Sequence, residues 1–204
     1  MPLIAIDELA RQVAELFREP FAPAPAPAAG GAEPCPPGPL PLDEMLRTRR
    51  SVREFTDTPL GADALRALVA SAWAGYRMLR PAGARVTLMV SVTHPAGLYP
   101  AAPVLAPVPD DDPPPALGTS FAAAPAHLLI CGDAPEDGSG YRAQLVDAGA
   151  LGHAAWLSAL SAGLGASMFG GNLGHIRGLR HLLTVAVGYP RADAAAEDEP
   201  SPYG

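Results

Sequence analysis

The stretch from Tyr141 to Leu164 constrains the fold most, because it is a long helical pattern whose small side chains leave several faces almost without bulk. Small side chains let neighbouring backbones approach closely, and a helix that lacks a polar face belongs in a core. We therefore predict a long central helix, buried on most sides and packed against its own chain or a second copy of it. Gly163 to Gly165 predict its C-terminal end. The small residues are Ala148, Gly149, Ala150, Gly152, Ala154, Ala155, Ser158, Ala159, Ser161 and Ala162.

Proline divides the chain, because most of the 25 prolines lie in residues 20–41 and 100–115. Both segments are predicted to be linkers or surface excursions. Residues 1–19 carry apolar side chains at helical spacing and are predicted to form an amphipathic docking helix, which needs a surface to pack on. Residues 42–191 then form a single domain, and residues 192–204 an acidic tail.

The domain mixes helical and strand patterns. We predict one helix over 42–49, a second that begins near 61–63, and a third over 141–164. An extended segment is predicted over 51–55, and strands are predicted over 85–92, 127–131 and 182–188. No βαβ period repeats, and no strand leads through a glycine-rich phosphate loop into a helix, so Rossmann and P-loop folds are excluded. The pattern predicts an α+β fold with a sheet flanked by helices.

Composition limits the classes of function. The net charge of -7 disfavours nucleic-acid binding. No apolar run is long enough to cross a membrane and the N-terminus lacks an export signal, which predicts a cytoplasmic protein. Cys35 and Cys131 are too few for a disulfide framework or a zinc site, and the histidines show no metal-ligand spacing, so we predict no metal.

Residues 47–55 read Arg-Thr-Arg-Arg-Ser-Val-Arg-Glu-Phe and concentrate positive charge in an acidic protein. Guanidinium and hydroxyl groups together can hold a phosphate through charge-assisted hydrogen bonds. The same run is also typical of a solvated helix end. Both interpretations stay open on this run alone.

Three separated segments together resemble the nitroreductase-like flavoprotein family. They are Arg49 to Phe55 followed by Thr58-Pro59-Leu60, the stretch from Asp147 to Gly165, and Val185-Ala-Val-Gly-Tyr-Pro190. The resemblance implies an α+β fold with a central, mostly antiparallel sheet. It also implies an intertwined homodimer that binds FMN and acts as an oxidoreductase.

Within that family, residues 81–85 (Pro-Ala-Gly-Ala-Arg) and 95–99 (Pro-Ala-Gly-Leu-Tyr), with Tyr141-Arg142, are similar to the SagB-like azoline dehydrogenases. Those enzymes oxidise thiazolines or oxazolines in ribosomally made peptides. The resemblance implies a dehydrogenase that acts on a peptide-derived heterocycle or a related natural-product intermediate, with hydride transfer to flavin N5. Partner biosynthetic enzymes and a peptide substrate would accompany it.

The resemblance also implies roles for particular residues. Arg49, Arg50, Ser51 and Arg53 would hold the FMN phosphate and ribityl hydroxyls, with Arg191 as a further phosphate ligand. Pro81, Ala82 and Gly83 would lie against the isoalloxazine, and Gly170 and Gly171 would offer backbone N–H groups near N5.

The general base is an open question, because the branch uses a Lys–Tyr pair and this chain contains no lysine. Tyr99, Tyr141, His153 or a partner subunit are the candidates, although His153 is better explained as a core or interface histidine. Two other functions stay open. One is an NAD(P)H-dependent nitro or quinone reductase, and the other is a degenerate, noncatalytic subunit of a biosynthetic complex.

Overall fold

The computed structural model describes residues 42–80, 85–94, 96–101, 105–106, 123–133, 140–170 and 173–191. The docking helix, the linker and the acidic tail lie outside these residues and stay predictions. Among the described residues, no helix is both long and apolar enough to span a membrane.

Three helices and six strands make up the described part of the chain, in an order that mixes the two types. All of the predicted helices and strands in this part are confirmed, with ends that differ by a few residues. The helices are α1 (Leu42–Thr48), α2 (Ala62–Leu79) and α3 (Tyr141–Ser161). The strands are β1 (Val86–Thr93), β2 (Ala96–Pro100), β3 (Ala126–Gly132), β4 (Gly165–Phe169), β5 (His175–Ile176) and β6 (Leu179–Gly188).

The strands form one sheet in the order β2-β1-β3-β6-β4, and β5 pairs with β6. Each of these pairs is antiparallel, which confirms the predicted α+β class with an antiparallel sheet. In the centre, Leu128 of β3 lies opposite Val90 of β1 and Val185 of β6. Every residue of β3 is buried, so its sequence does not alternate between apolar and exposed polar residues.

Side chains of β3 alternate between two buried layers. Leu128 and Ile130 pack with α2 and α3 on one face of the sheet. Leu129 and Cys131 pack with Met89 on the opposite face. Burial raises the pKa of the Cys131 thiol to about 12, because an apolar environment disfavours the thiolate.

The small residues of α3 allow close packing on two sides, as predicted. A Cβ added at Gly152 would lie 2.5 Å from Leu183 Cδ2 and 2.9 Å from Met168 Sδ. A Cβ added at Gly75 of α2 would lie 3.2 Å from the Cβ of Ala154. Glycine at these positions therefore sets how near α3 lies to the sheet and to α2.

The C-terminal end of α3 is a Schellman motif, three residues earlier than the predicted Leu164. Gly163 has φ +74°. Its N–H donates to Leu160 O at 3.0 Å, and the Leu164 N–H donates to Ala159 O at 2.9 Å. The glycine predicted to stop the helix does so, but Gly165 already begins β4.

One stripe of α3 faces outward and is apolar. Leu145 is 43% exposed and Val146 is 57% exposed, and a Cβ added at neighbouring Gly149 would meet nothing within 4 Å. Leu46 of α1, which packs against α3, is 45% exposed. These three side chains are the large exposed apolar groups of the described residues.

Candidate functional site

The arginine segment, residues 49–55, is fixed to the sheet through its backbone. The Val52 N–H donates to Ala166 O of β4 at 3.0 Å, and just beyond the segment the Thr56 N–H donates to Tyr189 O at 2.9 Å. The predicted extended conformation of residues 51–55 is confirmed, since none of them is helical and Phe55 pairs as an isolated bridge. The segment therefore runs across the ends of β4 and β6.

Arg191 lies beside the same segment, although it is far away in sequence. Its backbone N–H donates to Glu54 O at 3.2 Å, next to an antiparallel bridge between Phe55 and Pro190. The predicted additional phosphate ligand is thus brought to the segment predicted to hold the phosphate. The two chain stretches meet through main-chain bonds and do not depend on side-chain charge.

Two glycines make this arrangement possible. Gly165 of β4 and Gly188 of β6 lie opposite each other, and we call them the glycine pair. A Cβ at Gly165 would lie 2.9 Å from Val52 Cγ1, and a Cβ at Gly188 would lie 2.5 Å from Pro125 Cδ and 3.0 Å from Phe55 Cδ1. Glycine at both positions therefore allows the arginine segment and Pro125 to pack this closely against the strands.

The donors at this edge suit a phosphate dianion. Arg49, Arg50, Arg53 and Arg191 are exposed and Ser51 is half-buried. Several guanidinium groups together with a hydroxyl supply the charge-assisted hydrogen bonds that a phosphate accepts.

Arg47, at the start of the arginine-rich run, is engaged elsewhere. Its Nη2 lies 3.0 Å from Asp43 Oδ2 on the surface of α1. Both side chains are exposed, so the pair contributes little to stability. This separates Arg47 from the arginines that follow α1.

Arg49 makes a contact that the sequence interpretation missed. Its Cζ lies 5.1 Å from the centroid of the Trp156 ring on α3, and Trp156 is only 7% exposed. Trp156 Nε1 is buried and has no hydrogen-bond partner within the described chain. Burial, and then the positive charge of Arg49, lower the pKa of His153 on the same helix. Arg49 and Trp156 are far apart in the chain, so no local sequence pattern indicates this contact.

A second charged contact lies further toward the start of α3. Arg80 Nε donates to Asp147 Oδ1 at 2.7 Å, and Asp147 is 1% exposed. Burial and the neighbouring Asp147 carboxylate raise the pKa of Tyr76 on α2. Arg80 directly follows α2, so this ion pair ties the C-terminal end of α2 to α3.

The residues predicted to lie against the flavin ring are only partly described. Pro81, Ala82, Gly83 and Gly171 lie outside the described residues, and their roles stay predictions. Gly170 is exposed directly after β4, and a Cβ there would meet nothing within 4 Å.

The candidate bases lie on different elements. Tyr99 is half-buried on β2 opposite Val90. Tyr141 begins α3 and is half-buried beneath Arg180, whose Cζ lies 4.8 Å from the ring centroid. Tyr141 and His153 are separated by twelve residues of α3, or about 18 Å along the axis. They cannot serve the same substrate atom together.

Comparisons with known proteins place this arrangement in a family. Residues 46–188 match the family model described as "Nitroreductase family". None of the curated proteins matches the chain. Among solved structures, a putative nitroreductase from Ralstonia eutropha JMP134 is similar with a TM-score of 0.58 and 24% identity, over 85% of this chain and 98% of that one.

Two further solved structures share the fold. A putative nitroreductase from Anabaena variabilis ATCC 29413 has a TM-score of 0.55 and 20% identity, over 74% of this chain and 38% of that one. The hypothetical oxidoreductase YcnD from Bacillus subtilis has a TM-score of 0.52 and 20% identity, over 76% of this chain and 68% of that one. The predicted nitroreductase-like fold is confirmed, and the chain belongs to the nitroreductase family of oxidoreductases.

Proposed function

We propose that this protein is an FMN-dependent oxidoreductase whose arginine segment, together with Arg191, holds the FMN phosphate. The carrying observation is the main-chain attachment of that segment across the glycine pair, which gathers four exposed arginines and Ser51 at one sheet edge. Nitroreductase-family proteins typically use flavin, usually FMN. Bound FMN would supply the redox chemistry, and the protein would supply binding, orientation and the exclusion of competing reactions.

The test is flavin binding by the purified protein. We expect an absorbance spectrum between about 350 and 500 nm typical of bound flavin, or saturable binding of added FMN. Replacing Arg53 by Ala should weaken FMN binding, whereas Arg47→Ala, on the surface of α1, should not. A wild-type protein that neither contains flavin nor binds FMN would be incompatible with the proposal, and would leave the noncatalytic subunit as the explanation.

We also propose that the active form is a homodimer. The exposed apolar stripe of Leu145 and Val146, beside the open position at Gly149, offers a surface of the kind that another helix can approach closely. Proteins of this fold are commonly dimers. Light scattering should give twice the mass of the chain, and Val146→Glu should give a monomer. The control is Arg66→Glu, at an exposed position on α2, which should leave the dimer in place.

The finer proposal for the substrate is an azoline or a related heterocycle of a peptide-derived natural product, processed together with partner enzymes. Its support is the sequence of residues 81–85 and 95–99. The rival, an NAD(P)H-dependent nitro or quinone reductase, is consistent with the family match. Anaerobic mixing separates the two: bleaching of the flavin by an azoline peptide supports the first, and bleaching by NADPH alone supports the second.

For a dehydrogenase, the positions of the candidate bases favour Tyr141 over His153. His153 lies beside Arg49, which belongs to the proposed phosphate end of the site. Tyr141 lies about 18 Å away along α3. We expect Tyr141→Phe to lower kcat and His153→Gln to leave kcat nearly unchanged. If only His153→Gln lowers kcat, His153 is the general base. If neither variant lowers kcat, Tyr99 or the partner subunit supplies the base.

A further inference from the structure

We propose that Trp156 is a positioning residue of the phosphate site, because its indole face holds the guanidinium of Arg49 where the anion binds. This inference rests on the proposed function. It adds a residue from the central helix to a site that the sequence places entirely in the arginine segment and Arg191.

The contact has the geometry of a cation–π interaction. Arg49 Cζ lies 5.1 Å from the ring centroid of Trp156, and tryptophan is the aromatic ring that attracts a cation most strongly. The indole is nearly buried within α3, whereas Arg49 is exposed just after α1 ends. The buried Trp156 ring thus restrains the exposed Arg49 side chain.

Restraint of Arg49 before binding has a direct effect on affinity. A free arginine side chain samples many rotamers, and freezing it against a ligand opposes binding through lost entropy. Stacking on Trp156 removes part of that loss in advance. The guanidinium edge still carries its N–H donors, since stacking occupies only the face of the group.

The surroundings of the stack leave the positive charge of Arg49 for the ligand. Burial and Arg49 lower the pKa of His153, so the imidazole stays neutral near pH 7 and adds no competing cation. Trp156 Nε1 is a buried donor without a partner in the described residues. Because this nitrogen is itself buried, the indole acts on the anion only through its ring face and Arg49.

The second tryptophan provides a matched control. Trp73 on α2 is also buried, but its Nε1 donates to Ala101 O at 2.6 Å, and its ring packs edge-on against Tyr76 with centroids 5.5 Å apart. Trp73 therefore has its polar and aromatic partners within the core. A substitution there tests the loss of a buried indole without touching Arg49.

The experiment compares dissociation constants for FMN and riboflavin, which differ by the phosphate. We expect the wild type to prefer FMN, and Arg49→Ala to reduce that preference. Trp156→Leu and Trp156→Met should reduce the preference about three- to tenfold by removing the ring. Trp156→Phe, which keeps a ring, should retain most of it, and Trp73→Phe should retain all of it. Adding Trp156→Leu to Arg49→Ala should cause no further loss of preference.

Three results would overturn the inference. The first is an unchanged FMN preference in both nonaromatic variants, and the second is an equal loss of FMN and riboflavin binding, which indicates only a structural role. The third is a full additional loss in the double variant, because Trp156 would then act without Arg49. A wild type that binds both flavins equally removes the phosphate site itself, and with it the proposed function.

Discussion

Replacing Gly165 by alanine tests whether the glycine pair seats the arginine segment. The new Cβ would lie 2.9 Å from Val52 Cγ1 and 3.0 Å from Val52 Cβ and Cγ2. Favourable carbon contacts are about 3.5–4.0 Å, so the two groups must separate by roughly 0.5–1 Å. Valine cannot rotate away easily because its χ1 angle is stiff, and its N–H is bonded to Ala166 O.

The clash should therefore move the backbone of the arginine segment. Overpacking of this kind costs about 1–3 kcal/mol of unfolding free energy. The loss of glycine entropy in the unfolded chain opposes it by about 0.4–1 kcal/mol, so a net destabilisation of about 1–2 kcal/mol remains. Since the displaced segment carries the proposed phosphate ligands, FMN affinity should fall as well.

Removal of the clashing methyl groups supplies the decisive control. Val52→Ala alone should cost about 1 kcal/mol, because the side chain is half-buried and a fully buried CH₂ contributes about 0.8 kcal/mol. In the double variant with Gly165→Ala the clash is relieved, and the two effects should fall short of additivity by about 1 kcal/mol or more. Urea unfolding followed by circular dichroism measures each free energy.

Gly170→Ala is the matched control, because Gly170 directly follows the same strand and a Cβ there meets nothing within 4 Å. It should change the unfolding free energy by less than about 0.5 kcal/mol. If Gly165→Ala is as harmless as Gly170→Ala, the seating of the arginine segment on Gly165 is refuted. It is also refuted if Val52→Ala and Gly165→Ala are strictly additive, since no contact would then link them.

Three further outcomes are expected. In a Cys35→Ser variant, Cys131 is the only thiol and should not react with a disulfide reagent at pH 8 until the protein unfolds, because burial raises its pKa to about 12. Rapid reaction of the folded protein would contradict this burial. The pKa of His153 is lowered in the folded protein, so the unfolded chain takes up a proton near pH 6.5 before the folded one does, and stability should fall as the pH drops below about 6.5. In urea unfolding, His153→Gln should make that fall shallower, and an identical dependence on pH would contradict the lowered pKa. Arg80→Gln leaves the buried Asp147 carboxylate without its ion-pair partner and should lower the unfolding free energy by about 3 kcal/mol. Asp147→Asn should cost less, because the guanidinium of Arg80 can then reach solvent, and equal costs in urea unfolding would refute that asymmetry.

The helices and the apolar strands β1, β3 and β6 could be predicted from the sequence, whereas β2, β4 and β5 could not. The small side chains of α3 and the apolar run of β3 determine their own structure. By contrast, β2 contains Gly97 and Pro100, and β4 begins at Gly165, which follows a helix stop. These strands form because β1 and β6 supply hydrogen-bond partners, which is a tertiary effect that local propensity does not contain.

The candidate site divides in the same way. Residue type and order pointed to Arg49, Arg50, Ser51 and Arg53 as a phosphate-binding set. What the sequence did not contain was the register that places Gly165 opposite Gly188, or the contact between Arg49 and Trp156, which are far apart in the chain. Both follow from the packing of α1 and the arginine segment against α3 and the sheet.

The central helix links the two ends of the proposed site. Trp156 contacts Arg49, and Asp147 holds Arg80, which directly precedes the residues predicted to lie against the flavin. These contacts lie nine residues apart on α3, or about 13 Å along one rigid axis. Gly152 lies between them and lets the helix rest closely on β4 and β6, because a Cβ there would meet Met168 Sδ and Leu183 Cδ2. The small side chain at this position therefore sets how closely α3, with both contacts, packs on the sheet.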